Sequence, residues 1–118
     1  MNIKQFSELT QVSAHTLRYY EKIGLLRHIS RSSSGHRSFT KNDVDWISFI
    51  KRLKDMGMAL DKIQQYADLR EQGESTSEQR KHLLEEHVIV VEERIEAEAL
   101  HLERIKQKIH YYAEIINS

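Results

Sequence analysis

Cysteine is absent from this chain of 118 residues. Without a thiol there is no disulfide, no thiolate metal site and no thiol redox sensor. Proline is absent too, so only four glycines, Gly24, Gly35, Gly57 and Gly73, punctuate the backbone. No apolar run approaches the ~18 residues of a membrane span, and the N-terminus does not read as a signal peptide. Missing as well are the patterns of catalysis: Ser/His/Asp or Cys/His groupings, a phosphate-cradling glycine loop, and HExxH. These absences point to a cytoplasmic protein that is not an enzyme and holds no cofactor. Its length allows one small globular domain plus an appendage.

Charge is plentiful: 31% of residues are charged and the mean hydropathy is −0.63. The formal net charge of zero hides an asymmetry. Residues 1–54 hold ten Lys/Arg against four Asp/Glu, a net of +6, and residues 55–118 hold eight against fourteen, a net of −6. A basic front half and an acidic rear half predict a polyanion partner at the front.

Residues 13–20, Ser-Ala-His-Thr-Leu-Arg-Tyr-Tyr, organise that front half. Ser13 is a good N-cap, and on helical spacing Leu17 faces inward while His15, Arg18 and Tyr19 point outward. Guanidinium and phenol groups bond phosphates or base edges, and the Thr16 hydroxyl suits a phosphate oxygen. Before this helix, Ile3 to Thr10 reads as another, with Phe6 and Leu9 inward and Asn2-x-x-Gln5 as its capping signal. Helix, tight turn at Gln11-Val12, polar second helix is the helix-turn-helix pattern.

Gly24 should end the second helix with positive φ, Leu25 and Leu26 tucking beneath it. Arg27 to Phe39 then reads as a Ser/Arg-rich hairpin or wing, with Arg31, His36 and Arg37 placed along a DNA backbone. Thr40-x-x-Asp43 caps a third helix with Val44, Ile47, Ile50 and Leu53 on its apolar face and Trp46 and Phe49 alongside. Its last turn carries Lys54. After an interruption at Gly57, a fourth helix runs from Leu60 to Gly73 through Leu60, Ile63, Tyr66 and Leu69.

From Ser75, a predicted capping residue with Glu78, no glycine follows, and apolar residues step by alternating four and three. The seam is Leu84, Val88, Val91, Ile95, Glu98, Leu102, Ile105, Ile109, Tyr112 and Ile116, apolar except at Glu98. A heptad seam of this length belongs to a coiled coil, and one helix cannot bury its own seam. The chain is therefore expected to form a homodimer. In an antiparallel pair, partners whose numbers sum to 200 use every position. Leu84 then meets the partner's Ile116, Ile95 the partner's Ile105, and Glu98 the partner's Leu102. The two-fold axis falls near Leu100, and Glu92 approaches the partner's Lys106. Glu98 weakens the middle of the seam and fixes the register. The long-helix histidines His82, His87, His101 and His110 offer no i, i+4 pair, so no metal site is expected within one chain; His101 falls near the dyad, beside its mate. The expected organisation is a domain at 1–74 and a dimerisation helix at 75–118.

Three segments together resemble the MerR family of transcription regulators: Val12 to Leu26, with Leu17-Arg18-Tyr19-Tyr20-Glu21 and Ile23-Gly24-Leu25-Leu26; Gly35-His36-Arg37; and Leu53 to Met58. The resemblance implies a mostly α fold, a winged helix-turn-helix domain followed by an antiparallel coiled coil. Its first wing is residues 30–39, and the turn at Gly57 is part of the second. It also implies a homodimer that binds an inverted repeat in double-stranded promoter DNA and distorts it so that RNA polymerase engages both promoter elements. Carried onto this sequence, the DNA contacts are Ser13, His15, Thr16, Arg18, Tyr19, Tyr20, Arg37 and Lys54. His36 stands where the family usually has Tyr before the wing arginine. The cysteines of metal- and thiol-sensing members are missing, and 118 residues leave no expected room for a separate ligand domain; a small-molecule effector remains among the implied partners. The competing class is a coiled-coil adaptor whose basic front domain binds protein.

Overall fold

The computed structural model describes all 118 residues. Along the chain come α1 (Ile3–Thr10), α2 (Ala14–Lys22), β1 (Ser30–Arg31), β2 (Arg37–Ser38), α3 (Lys41–Asp55) and α4 (Leu60–Glu71). A 3-10 turn (Glu74–Thr76) and the long α5 (Ser77–Asn117) complete it. The residues divide into two compact units, Met1–Arg80 and Lys81–Ser118. The elements are those expected of a winged helix-turn-helix followed by a long helix.

Both ends of α1 are fixed locally. Asn2 Oδ1 accepts from the Gln5 amide at 2.9 Å, and Gln5 Oε1 accepts from the Asn2 amide at 3.0 Å. Gln11 closes the helix in the left-handed conformation, φ 57°. The inward stripe is Phe6 and Thr10, not Phe6 and Leu9: Leu9 is 61% exposed. Thr10 tolerates burial because its hydroxyl donates to the Phe6 carbonyl at 2.8 Å. The core lies on the i+4 side of Phe6 rather than the i+3 side, a choice that apolar spacing in an eight-residue helix cannot make.

Ser13 caps α2 as expected, its Oγ accepting from the Thr16 amide at 3.1 Å. Gly24, at φ +84°, turns the chain so that the Leu25 and Leu26 amides both donate to the Tyr20 carbonyl, at 2.8 and 3.2 Å. Leu25 and Leu26 are buried, and the Trp46 indole N–H donates to the Leu25 carbonyl at 2.7 Å. On α3 the reciprocal Thr40–Asp43 box forms, and Trp46, Ile47, Ile50 and Leu53 face the core. Gly57 (φ +80°) turns the chain into α4, with Met58 buried.

On α4 the buried pair is Ile63 and Ala67, while Leu60 is exposed and Tyr66 and Leu69 are half-buried. The expected i, i+3 stripe through Leu60, Ile63, Tyr66 and Leu69 is thus rotated. Tyr66 instead joins an aromatic layer with Trp46 and Phe49, at centroid distances of 6.0 and 5.5 Å. The α5 start also differs, at Ser77 rather than at a Ser75 cap. Thr76 takes the structural role: its buried hydroxyl reaches the Leu69 and Gly73 carbonyls at 2.6 and 2.8 Å. Arg80 Nη2 adds a donor to the same Gly73 carbonyl at 3.2 Å.

In α5, 41 residues span about 60 Å. From Glu92 to Ser118 every side chain is exposed, including Ile95, Leu102, Ile105, Ile109, Tyr112 and Ile116 of the seam. No helix is long and apolar enough to cross a membrane.

Candidate nucleic-acid interface

The first unit gathers positive charge where α2 meets the wing. The hairpin pairs Ser30 with Ser38 and Arg31 with Arg37, and Gly35 at its tip adopts φ +84°. Arg31 Nη1 donates to the Gly35 carbonyl at 2.9 Å, folding that side chain along its own wing. At the base, Phe39 stacks on Phe6 at 4.3 Å, and its backbone exchanges two hydrogen bonds with Met1 at 2.7 and 2.8 Å. Phe39 thus seats the wing on α1, with His36 exposed at its tip.

One contact links wing to α2 directly. Arg37 Nε donates to both carboxylate oxygens of Glu21 at 3.0 Å, with both side chains about one-third exposed. Only Nε is engaged, so the two terminal nitrogens of the guanidinium remain as donors toward solvent. Arg18, Arg31, Arg37 and His36, together with the Asn2 end of α1, line a concavity of about 630 Å³ between α2 and the wing. Converging guanidinium groups beside an exposed helix suit a phosphate backbone.

The expected contact residues separate into three groups. His15, Arg18 and Tyr19 are exposed along α2, and Lys54 is exposed on α3 with its ammonium 5.5 Å from the Tyr20 ring centre. Ser13 and Thr16 are engaged with each other: Ser13 Oγ donates to Thr16 Oγ1 at 2.9 Å, which still leaves the threonine proton as a donor. Tyr20 departs from expectation. It is 3% exposed and belongs to the core, so it supports α2 and carries Lys54 toward it rather than facing a ligand. The physical reason is rotational: Leu17 and Tyr20, three apart, share the inward face. The pairing of Glu21 with Arg37 is not legible in the sequence, because nothing at a separation of 16 positions marks the two as partners.

Behind the interface, Arg27 pairs with Asp68 and His28 with Glu71, tying the segment after α2 to α4. The His28 hydrogen bond, opposed in part by desolvation, holds the Glu71 carboxyl below the ordinary glutamate range.

A basic helix-turn-helix with a short β-wing defines the winged-helix class of nucleic-acid-binding domains. Residues 1–69 match the MerR HTH family of regulatory proteins, and residues 44–109 match the MerR DNA-binding family. The chain belongs to the MerR family of HTH-type transcriptional regulators. It is 38% identical over 84 residues to the HTH-type transcriptional regulator AdhR of Bacillus subtilis, a match covering 71% of this chain and 60% of that protein. An HTH-type regulator of Haemophilus influenzae is 35% identical across 90% of this chain and 78% of its own length. Among solved structures, a MerR family regulator from Listeria monocytogenes superposes with a TM-score of 0.88 at 39% identity, covering 95% of this chain and 85% of that one. HiNmlR, a MerR family regulator lacking the sensor domain and bound to promoter DNA, gives 0.85 at 32% identity, covering 100% and 91%. Family membership decides between the two classes left open by the sequence: this is a DNA-binding transcriptional regulator, not a coiled-coil adaptor.

Proposed function

We propose that two copies of this chain pair through antiparallel α5 helices and bind the two halves of an inverted repeat in promoter DNA, distorting the duplex between them. The observation that carries this is the α2–wing concavity, where Arg18 and Arg37 converge beside the exposed His15 and Tyr19. The exposed seam of α5 supports the pairing, since apolar side chains repeated at heptad spacing favour a second helix over water. In this reading residues 1–74 read DNA and residues 75–118 dimerise. Arg18, Arg37, Lys54 and Thr16 take phosphates, with Ser13 orienting the Thr16 hydroxyl, and His15 and Tyr19 face base edges. A dimer with a fixed separation between its two recognition helices deforms any duplex whose half-sites are spaced otherwise. HiNmlR in its complex with promoter DNA supports the DNA partner. The protein works in the cytoplasm as a binding protein rather than a catalyst, with RNA polymerase at the same promoter and a small-molecule effector as further partners.

Footprinting on the DNA upstream of its own and adjacent genes tests this reading. Symmetrical protection with hypersensitive cuts at its centre is the expected result; protection of a single half-site without distortion refutes it. Ile95→Asp should leave a monomer that no longer binds paired half-sites. Tight operator binding by monomeric Ile95→Asp protein breaks the link between seam and DNA.

A further inference from the structure

Glu98 is the one polar residue on the seam of α5, and its side chain is exposed. His101 stands one turn further on. Its neighbours His82 and His110 each pair with a carboxylate four residues ahead, Glu86 at 2.8 Å and Glu114 at 3.0 Å. His101 has Ile105 at that position and Ala97 four residues back, so neither i±4 position offers its imidazole a carboxylate. Residues three apart on a helix lie on one face with Cβ atoms about 5–6 Å apart. Glu98 and His101 thus form a Glu-x-x-His pair, a spacing by which helical bundles present metal ligands to their core.

The register in which every seam position finds a partner puts the two-fold axis level with residue 100. At 1.5 Å per residue, Glu98 sits about 3 Å from that level and His101 about 1.5 Å from it, on opposite sides. The partner's Glu98 therefore arrives within about 1.5 Å of the height of His101. Two carboxylates and two imidazoles collect around the dyad, closed above and below by layers of Ile95 against the partner's Ile105. Two carboxylates in an otherwise apolar seam repel each other and lose hydration. A divalent cation held by both of them and by two neutral imidazoles removes that cost.

We infer that Glu98 and His101 of two copies form a four-ligand site for a divalent transition metal of the zinc, cobalt or nickel kind at the centre of the α5 pair. The mixed imidazole and carboxylate set, with no thiolate available, selects this class. No group of three such ligands exists within one chain, so the site is incomplete without the second copy. The inference rests on the antiparallel dimer proposed above.

Titration of chelator-treated full-length protein with Co²⁺, then Zn²⁺, tests it, with absorption and sedimentation recorded together. The expected result is a visible cobalt spectrum saturating at one ion per two chains, displaced by Zn²⁺. Zn²⁺ should tighten dimerisation about tenfold or more, as linkage requires of an ion that binds only the dimer. Glu98→Gln and His101→Gln should each weaken binding by more than the roughly 10–100-fold that loss of an outer-shell partner costs. Because Glu98→Gln removes repulsion, it should remain dimeric without metal, so loss of binding is not loss of fold. A chain that sediments as a monomer with and without metal overturns the dimer reading and the site with it. A stable dimer that takes up no stoichiometric ion, or binding that persists in both variants, overturns the site alone.

Discussion

Glu21→Gln sets two effects of opposite sign against each other. Removing a carboxylate from a DNA-facing surface makes that surface more positive. One unit charge at about 10 Å in a water-like dielectric is worth about 0.4 kcal/mol, or roughly twofold tighter binding, before screening. The same carboxylate is what holds Arg37, through two 3.0 Å contacts to Nε. A charge-assisted hydrogen bond between groups about one-third exposed contributes about 1 kcal/mol, between the values for exposed pairs and for buried ones. Gln keeps a single uncharged acceptor, so most of that hold on the Arg37 fork is lost, and ordering it on DNA costs up to about that amount, roughly fivefold in affinity. Positioning wins on a specific site, so operator affinity should fall about two- to threefold while affinity for scrambled duplex rises. Fluorescence anisotropy on both duplexes at one salt concentration measures the ratio. Tightening on both duplexes would refute Glu21 as a positioning residue and make it a plain electrostatic brake. The circular dichroism of the variant should keep its helical content, since no core contact is lost.

Arg18→Ala should cut operator affinity by about tenfold or more and lower the slope of log affinity against log salt by about one, with the dimer intact by sedimentation. Phe39→Ala removes the ring stacked 4.3 Å from Phe6 and should cost about 3–5 kcal/mol of stability, seen as a fall in the urea midpoint. An unchanged midpoint would show that the wing is not seated through Phe39. Glu71 should titrate below the ordinary glutamate range by NMR and return to it in His28→Ala. Because the folded-state value is lowered, any stability from the pair is present above the unfolded-state value and is lost as pH falls through the folded one.

Local chemistry was legible in the sequence wherever neighbouring residues settle it. The capping pairs Asn2/Gln5 and Thr40/Asp43, the Ser13 cap, the positive φ at Gly24 and the helix break at Gly57 depend on residues within one turn, and each forms as read. The heptad seam is legible for the same reason, since its period is a property of one helix. Tertiary structure alone decided which of two adjacent stripes turns inward. Thr10 rather than Leu9 is buried, Ala67 rather than Tyr66 is the fully buried partner of Ile63, and Tyr20 belongs to the core rather than to the DNA face. On a helix, positions three and four apart differ by about 100° of rotation, and the neighbours that choose between them come from distant parts of the chain. The Glu21–Arg37 bond is of the same kind: both charges stand in the sequence, but only the hairpin folding back on α2 brings them to 3.0 Å.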